Sequence, residues 1–189
     1  MTETLSPSLA RRANALAARI DRPLVLVGLM GVGKSTVGRR LAKVLRRNFI
    51  DVDDEIEHAA GRTIPEIFSG HGEAYFRDGE RRVIKRLMDE DHGVVATGGG
   101  AFVDPQTRAL IKERGIAIWL DCDIDTLVRR TARRDSRPLL RDGDPRTILR
   151  NLKETRSAAY AEAPLHVLTD DTPHEATIER IIERLEQWL

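Results

Sequence analysis

The sequence predicts an α/β domain in which a parallel sheet is covered by helices on both faces. Three observations carry this. Short apolar runs rich in β-branched residues alternate with longer stretches of helical periodicity. Several helix starts are marked by a capping side chain followed by proline. A glycine-rich segment, GLMGVGKST (28–36), joins the first apolar run to a stretch with helical spacing.

At 189 residues and 41% hydrophobic content, the chain suits one substantial core and not two. The strands expected from the apolar runs are Leu24–Val27, Phe49–Val52, Gly93–Thr97, Ile116–Leu120 and His166–Leu168. Asp104-Pro105, Asp144-Pro145 and Thr172-Pro173 place helix starts, and the pairs Thr63/Glu66 and Thr172/Glu175 have capping-box spacing. Ile178, Ile181, Ile182 and Leu185 lie on one face of the last helix. Residues 1–21 form an N-terminal extension, and Leu9, Ala13, Leu16 and Ile20 recur there at helical spacing. Residues 22–189 are expected to form a single domain.

Lysine plus arginine (31) nearly balances aspartate plus glutamate (30), so no global field points to nucleic acid or a membrane surface. No apolar stretch approaches the roughly 20 residues needed to cross a bilayer. Cys122 is the only cysteine, which excludes an internal disulfide and suits a reducing cytoplasm. The five histidines are scattered without metal-ligand spacing, and Trp119 and Cys122, at a strand end, are expected to pack rather than react.

Gly28 to Ser35 matches G-x-x-x-x-G-K-[ST] in full, in the strand–loop–helix setting that gives the motif its meaning. Backbone N–H groups of Gly31, Val32 and Gly33 are expected to turn toward a phosphate chain at a helix N-terminus. Lys34 reaches the β- and γ-phosphates in such loops, and Ser35 ligates Mg²⁺, with Thr36 beside it. The chain is therefore expected to bind a nucleoside triphosphate. It lacks the Asp-x-x-Gly and Asn/Thr-Lys-x-Asp signatures of a signalling GTPase, which favours ATP.

The segment FIDVDDEIE places Asp51 and Asp53 at the expected end of the second strand, two apart and so on one side. One carboxylate can serve the magnesium shell and the other can take a proton from an attacking hydroxyl. A monophosphate acceptor would need no such base, so the pair argues for an alcohol. In GEAYFRDGERRVI, Arg77 can grip a substrate carboxylate, with Glu80 as its i,i+3 partner. Taken alone, that spacing more commonly marks a surface ion pair. Gly98, Gly99 and Gly100 end a buried strand, where they suit close approach of a ligand or simply a flexible turn. Arg156 can supply a second cation.

From Arg129 to Arg150 eight arginines face three acids. This segment, about 132–144, reads as a mobile lid over ATP, with Arg137 placed to neutralise charge on the transferred phosphoryl group. RNA binding is the rival use, but the segment has no aromatic residue for stacking bases.

GLMGVGKSTVGRRLA, FIDVDDEIE, GRTIPEIF, GEAYFRDGE, TGGGA and RPLL occur in the order and approximate spacing found in shikimate kinases, and from Leu24 onward the chain resembles that family. The resemblance implies a nucleoside-monophosphate-kinase-like P-loop fold, a sheet of order 2-3-1-4-5 and, usually, a monomer. It implies ATP-dependent phosphorylation of the 3-hydroxyl of shikimate. Asp53 then contacts the substrate hydroxyls, and Asp51 stands near magnesium. Arg77, Gly98, Gly99, Gly100 and Arg156 hold the substrate, whose pocket, within about 53–82, includes Phe68 and Phe76. Arg137 meets the phosphates, Arg130 packs near adenine, and Thr169 and Asp170 border the base. One departure is notable: the family usually shows Arg-x-Pro-Leu-Tyr where this chain has Arg156-Ser157-Ala158-Ala159-Tyr160. A gluconate-type kinase and a non-catalytic ATP-binding module are the rival readings.

Overall fold

The structure, a computed structural model, describes residues 6–90, 93–132 and 143–189. Arg137 and most of the expected lid lie outside the described residues.

Five strands, β1 (Leu24–Val27), β2 (Phe49–Asp51), β3 (Val94–Ala96), β4 (Ile116–Asp121) and β5 (Leu165–Leu168), form one sheet in the order β2-β3-β1-β4-β5. Every pairing is parallel, so all five C-terminal ends lie along one edge. The helices are α1 (Pro7–Ala17), α2 (Lys34–Leu45), α3 (Val52–Ala60), α4 (Ile64–Glu90), α5 (Pro105–Arg114), α6 (Ile124–Ala132), α7 (Pro145–Tyr160) and α8 (His174–Trp188). They cover both faces, so β1, β3 and most of β4 are wholly buried, as the near-continuous apolar runs require.

The caps largely follow the local code. Asp104 accepts from the Thr107 N–H at 2.8 Å and Asp144 from the Thr147 N–H at 2.9 Å, each ahead of a proline in the first turn. Thr63 and Glu66 form the reciprocal box before α4. Thr172 departs from expectation. Its N–H and hydroxyl turn back to the Asp170 carboxylate, which Arg180 also engages, while Glu175 pairs with Arg40. A charged acceptor two residues away outcompetes the cap, and α8 begins at His174 without a side-chain cap.

The N-terminal helix belongs to the same core as the sheet: Leu9, Ala13, Leu16 and Ile20 are buried against it. Arg12 pairs with Glu186 of α8 at 2.6 Å, and Arg47 donates to the carbonyls of Ala17, the last residue of α1, and of Ile20 beyond it.

One boundary differs from expectation in a way that matters for the site. β2 stops at Asp51, and Val52 already begins α3. Asp51 is the N-cap, its carboxylate accepting from the Asp53 N–H at 3.2 Å. Asp53 therefore sits in the first turn of a helix, and strand alternation does not aim it. The helix carrying Phe76 and Arg77 is interrupted at Gly72, whose φ of 80° and ψ of 176° redirect the chain before it.

Candidate active site

The phosphate loop follows β1 at the centre of the sheet. Gly28, Gly31 and Gly33 have φ of 134°, 86° and 100°, which the loop's tight reversal demands and which side chains strongly resist. At Gly28 the constraint is double, because an added Cβ would lie 2.3 Å from the carbonyl oxygen of Leu120 on β4. Gly28→Ala should therefore cost more than about 2 kcal/mol in chemical denaturation, by strain plus a backbone clash. Gly33 caps α2 without a side chain, leaving the first N–H groups of that helix directed at the loop. Lys34 Nζ bridges the carbonyls of Gly28 and Leu29 at 2.7 and 2.9 Å, folded over the loop whose phosphates it would meet. One residue on, Ser35 Oγ donates to Asp51 Oδ2 at 2.7 Å, and Thr36 completes the first turn of α2. Ser35 and Asp51 thus stand where a magnesium ion can take a hydroxyl directly and a carboxylate through water, with triphosphate oxygens completing its shell. The donor set fits that ion.

The ends of β2 and β3 build one side of the site. A methyl group placed on Gly98 would fall 3.0 Å from Asp53 Oδ1 and 3.2 Å from Glu80 Oε1, so both carboxylates face the turn after β3. Glu80 Oε2 accepts from Arg77 at 2.6 Å, and a Cβ on Gly100 would overlap the Arg77 guanidinium. Asp53 and Arg77 therefore both face the turn after β3. The space is tightest at Gly100 and close at Gly98, whereas a Cβ on Gly99 would make only ordinary contact, 3.4 Å from the Met30 nitrogen. The Arg77–Glu80 pair is also no surface bridge: Glu80 is 1% exposed and, among the described residues, the one fully buried charged side chain. Burial pushes the Glu80 carboxyl up, against the lowering effect of Arg77. Burial likewise pushes Asp53 up to about 6, helped by the negative charge of Asp51 and opposed by Lys34. Phe76 is buried with Arg77 over its ring, and Phe68 packs on Phe76 with centroids 4.6 Å apart.

α7 supplies the far wall. It runs unbroken to Tyr160, so the residues after Arg156 stay helical without the family's proline. Arg156 donates to the Gly99 carbonyl at 3.2 Å, and the Tyr160 hydroxyl donates to the same oxygen. Tyr160 was not among the candidates read from the sequence. Its position four residues after Arg156, on the same helix face, was the available signal. The i,i+3 spacing of Arg77 and Glu80 carries no information on burial, which the packing of α4 sets.

The ends of β4 and β5 build the opposite side. Arg130 lies within hydrogen-bonding reach of the Val32 carbonyl and Thr169, and it also donates to the Asp170 carbonyl. Thr169 ties back to Val32 and Asp121 at 3.3 and 3.1 Å. Asp170 is half-buried, and its bonds to Thr172 and then Arg180 hold its carboxyl down to about 2. Trp119 and Cys122 pack as expected: Trp119 stacks on His166, and Cys122 is buried.

With this geometry in place, the family model described as shikimate kinase matches residues 30–186. The chain belongs to the shikimate kinase family. It is 58% identical over 178 residues to the shikimate kinase of Novosphingobium aromaticivorans, covering 92% of each chain. Its similarity to the shikimate kinase of Paramagnetospirillum magneticum, 51% identical, takes in all of this chain and 97% of that one, α1 included. Among solved structures, a shikimate kinase from Acinetobacter baumannii in complex with shikimate superimposes with a TM-score of 0.85 at 37% identity, over 91% of this chain and 97% of that one. The enzyme is thus an ATP-dependent phosphotransferase by family, on a P-loop kinase fold.

Proposed function

We propose that the chain transfers the γ-phosphoryl group of ATP to the 3-hydroxyl of shikimate, giving shikimate 3-phosphate and ADP on the route to chorismate and the aromatic amino acids. One observation supports this most directly: Asp53 and the buried Glu80 face Gly98 while Arg77, paired with Glu80, faces Gly100, beside the phosphate loop. An alcohol needs a proton acceptor, and a carboxylated substrate needs a fixed cation; Asp53 and Arg77, facing one turn, support both roles.

The residues divide the work. The loop N–H groups of Gly31, Val32 and Gly33, with Lys34, hold the triphosphate; Ser35 and Thr36 lie at the helix start. Arg130, Thr169 and Asp170 border the adenine side. Ser35 and Asp51 would hold Mg²⁺, which when bound neutralises phosphate charge as the bond to the leaving oxygen lengthens. Arg77, set by Glu80, and Arg156 grip the shikimate carboxylate between the glycines 98–100 and the Phe68–Phe76 wall. Asp53 orients the hydroxyl and receives its proton. Arg137, outside the described residues, is assigned the phosphates on the family pattern. Most of the rate then comes from alignment and electrostatics, because a loose phosphoryl transition state needs little covalent help.

The reading includes a cytoplasmic monomer that uses no nucleic acid. A coupled ADP-release assay tests the activity, with shikimate, gluconate and a nucleoside monophosphate as alternative acceptors. Release with shikimate alone is expected. Comparable rates with gluconate, or none with any acceptor, would overturn the assignment.

A further inference from the structure

The carbonyl of Gly99 receives two side-chain donors, Arg156 at 3.2 Å and the hydroxyl of Tyr160, both from α7. A glycine carbonyl in a solvent-edged turn does not need two such partners, one of them charged. Tyr160 is 1% exposed, and its ring stacks against Trp119 of β4 with centroids 5.9 Å apart, so its hydroxyl is held in place by packing. Burial pushes the Tyr160 hydroxyl up, against the lowering effect of the nearby positive charges of Arg156 and Arg77. The two groups converge on one oxygen: guanidinium to carbonyl and hydroxyl to carbonyl.

We propose that Tyr160 is a positioning residue for shikimate binding, holding the Gly99 turn while Arg156 passes from the Gly99 carbonyl to the substrate carboxylate. The inference rests on the assignment of Arg156 to the substrate. A carboxylate outcompetes a neutral carbonyl for a guanidinium, because the charge-assisted bond is roughly twice as strong. When Arg156 turns away, the carbonyl keeps Tyr160 as its donor, and the N–H groups of the glycine turn stay aimed at the substrate. Without the hydroxyl, Arg156 becomes the carbonyl's only side-chain donor, and releasing it leaves that oxygen poorly satisfied. The cost falls on substrate binding alone.

Tyr160→Phe removes the hydroxyl and leaves the ring against Trp119. Its KM for shikimate should rise roughly tenfold, the size of one displaced hydrogen bond at a turn. Its KM for ATP, kcat and melting temperature should remain near those of the parent protein. In an Arg156→Ala background, where no transfer is needed, the same change should raise the shikimate dissociation constant by less than about twofold, measured by calorimetry. Equal effects in both backgrounds would overturn the proposal. So would an unchanged shikimate KM, or a parallel rise in both KM values with a lowered melting temperature, which marks a merely structural tyrosine. The parent protein separates the two levels: if it phosphorylates shikimate and Tyr160→Phe behaves like it, only the inference about Tyr160 falls.

Discussion

Asp53→Asn lowers kcat for phosphoryl transfer by roughly 10²–10⁴-fold while leaving ATP binding near that of the parent protein. The side chain keeps its shape and its place in the first turn of α3 but can no longer take a proton. The parent carboxylate is well matched to that task, since burial and Asp51 lift it to about 6, close enough to neutral to be a useful base and still ionised at pH 7.5. Single-turnover kinetics with saturating ATP provides the check, and turnover within a few-fold of the parent would exclude Asp53 as the proton acceptor.

The same raised pKa has a cost in stability, and its sign is definite. The folded state binds the Asp53 proton more tightly than the unfolded chain, whose ordinary value is 3.8. Stability from this group is fully present below pH 3.8 and is lost as pH rises through about 6, amounting to about 3 kcal/mol. In metal-free, nucleotide-free protein, Asp53→Asn should therefore gain stability over the parent at pH 8, and the gain should shrink toward pH 4. An asparagine variant that is less stable at pH 8 would contradict the burial account.

Arg77→Ala is expected to have the second large effect, on folding and on binding at once. Removing the guanidinium strands Glu80 in the core without the cation that pairs with it, at a cost of about 3–5 kcal/mol, which is roughly 10 °C of melting temperature in a domain of this size. Losing a charged anchor should also raise the shikimate KM by about 10²–10³-fold. A second substitution separates the two. Arg77→Ala with Glu80→Gln removes the unpaired charge and should recover most of the stability while leaving the KM high. The pH dependence adds a further check: loss of Arg77 raises the Glu80 carboxyl further, so the destabilisation should be smaller at pH 5, where Glu80 is protonated more readily, than at pH 8. Persistent instability in the double variant would point to lost packing on Phe76, and an unchanged KM would remove Arg77 from the substrate.

Much of the molecule was legible in short stretches of chain. The phosphate loop is written in eight consecutive residues, because its glycine conformations, lysine and serine act within a single turn. Asp104 and Asp144 announced their helices, since a cap is a hydrogen bond across three residues. The same local logic failed at Thr172, where Asp170 offered a stronger acceptor, and at Asp53, where a helix began one residue earlier than strand alternation assumed.

What only the tertiary structure decided is where these pieces meet. The order β2-β3-β1-β4-β5 puts Lys34 at the centre, Asp53, Arg77 and Gly98 on one side, and Arg130, Thr169 and Asp170 on the other. Whether Arg77–Glu80 is a surface bridge or a buried anchor, and whether Tyr160 reaches Gly99 sixty-one residues away, depends on how α4 and α7 pack on the sheet. Bonding within a turn is set by nearest neighbours along the chain, whereas burial and long-range hydrogen bonds are set by which surfaces the whole fold removes from water.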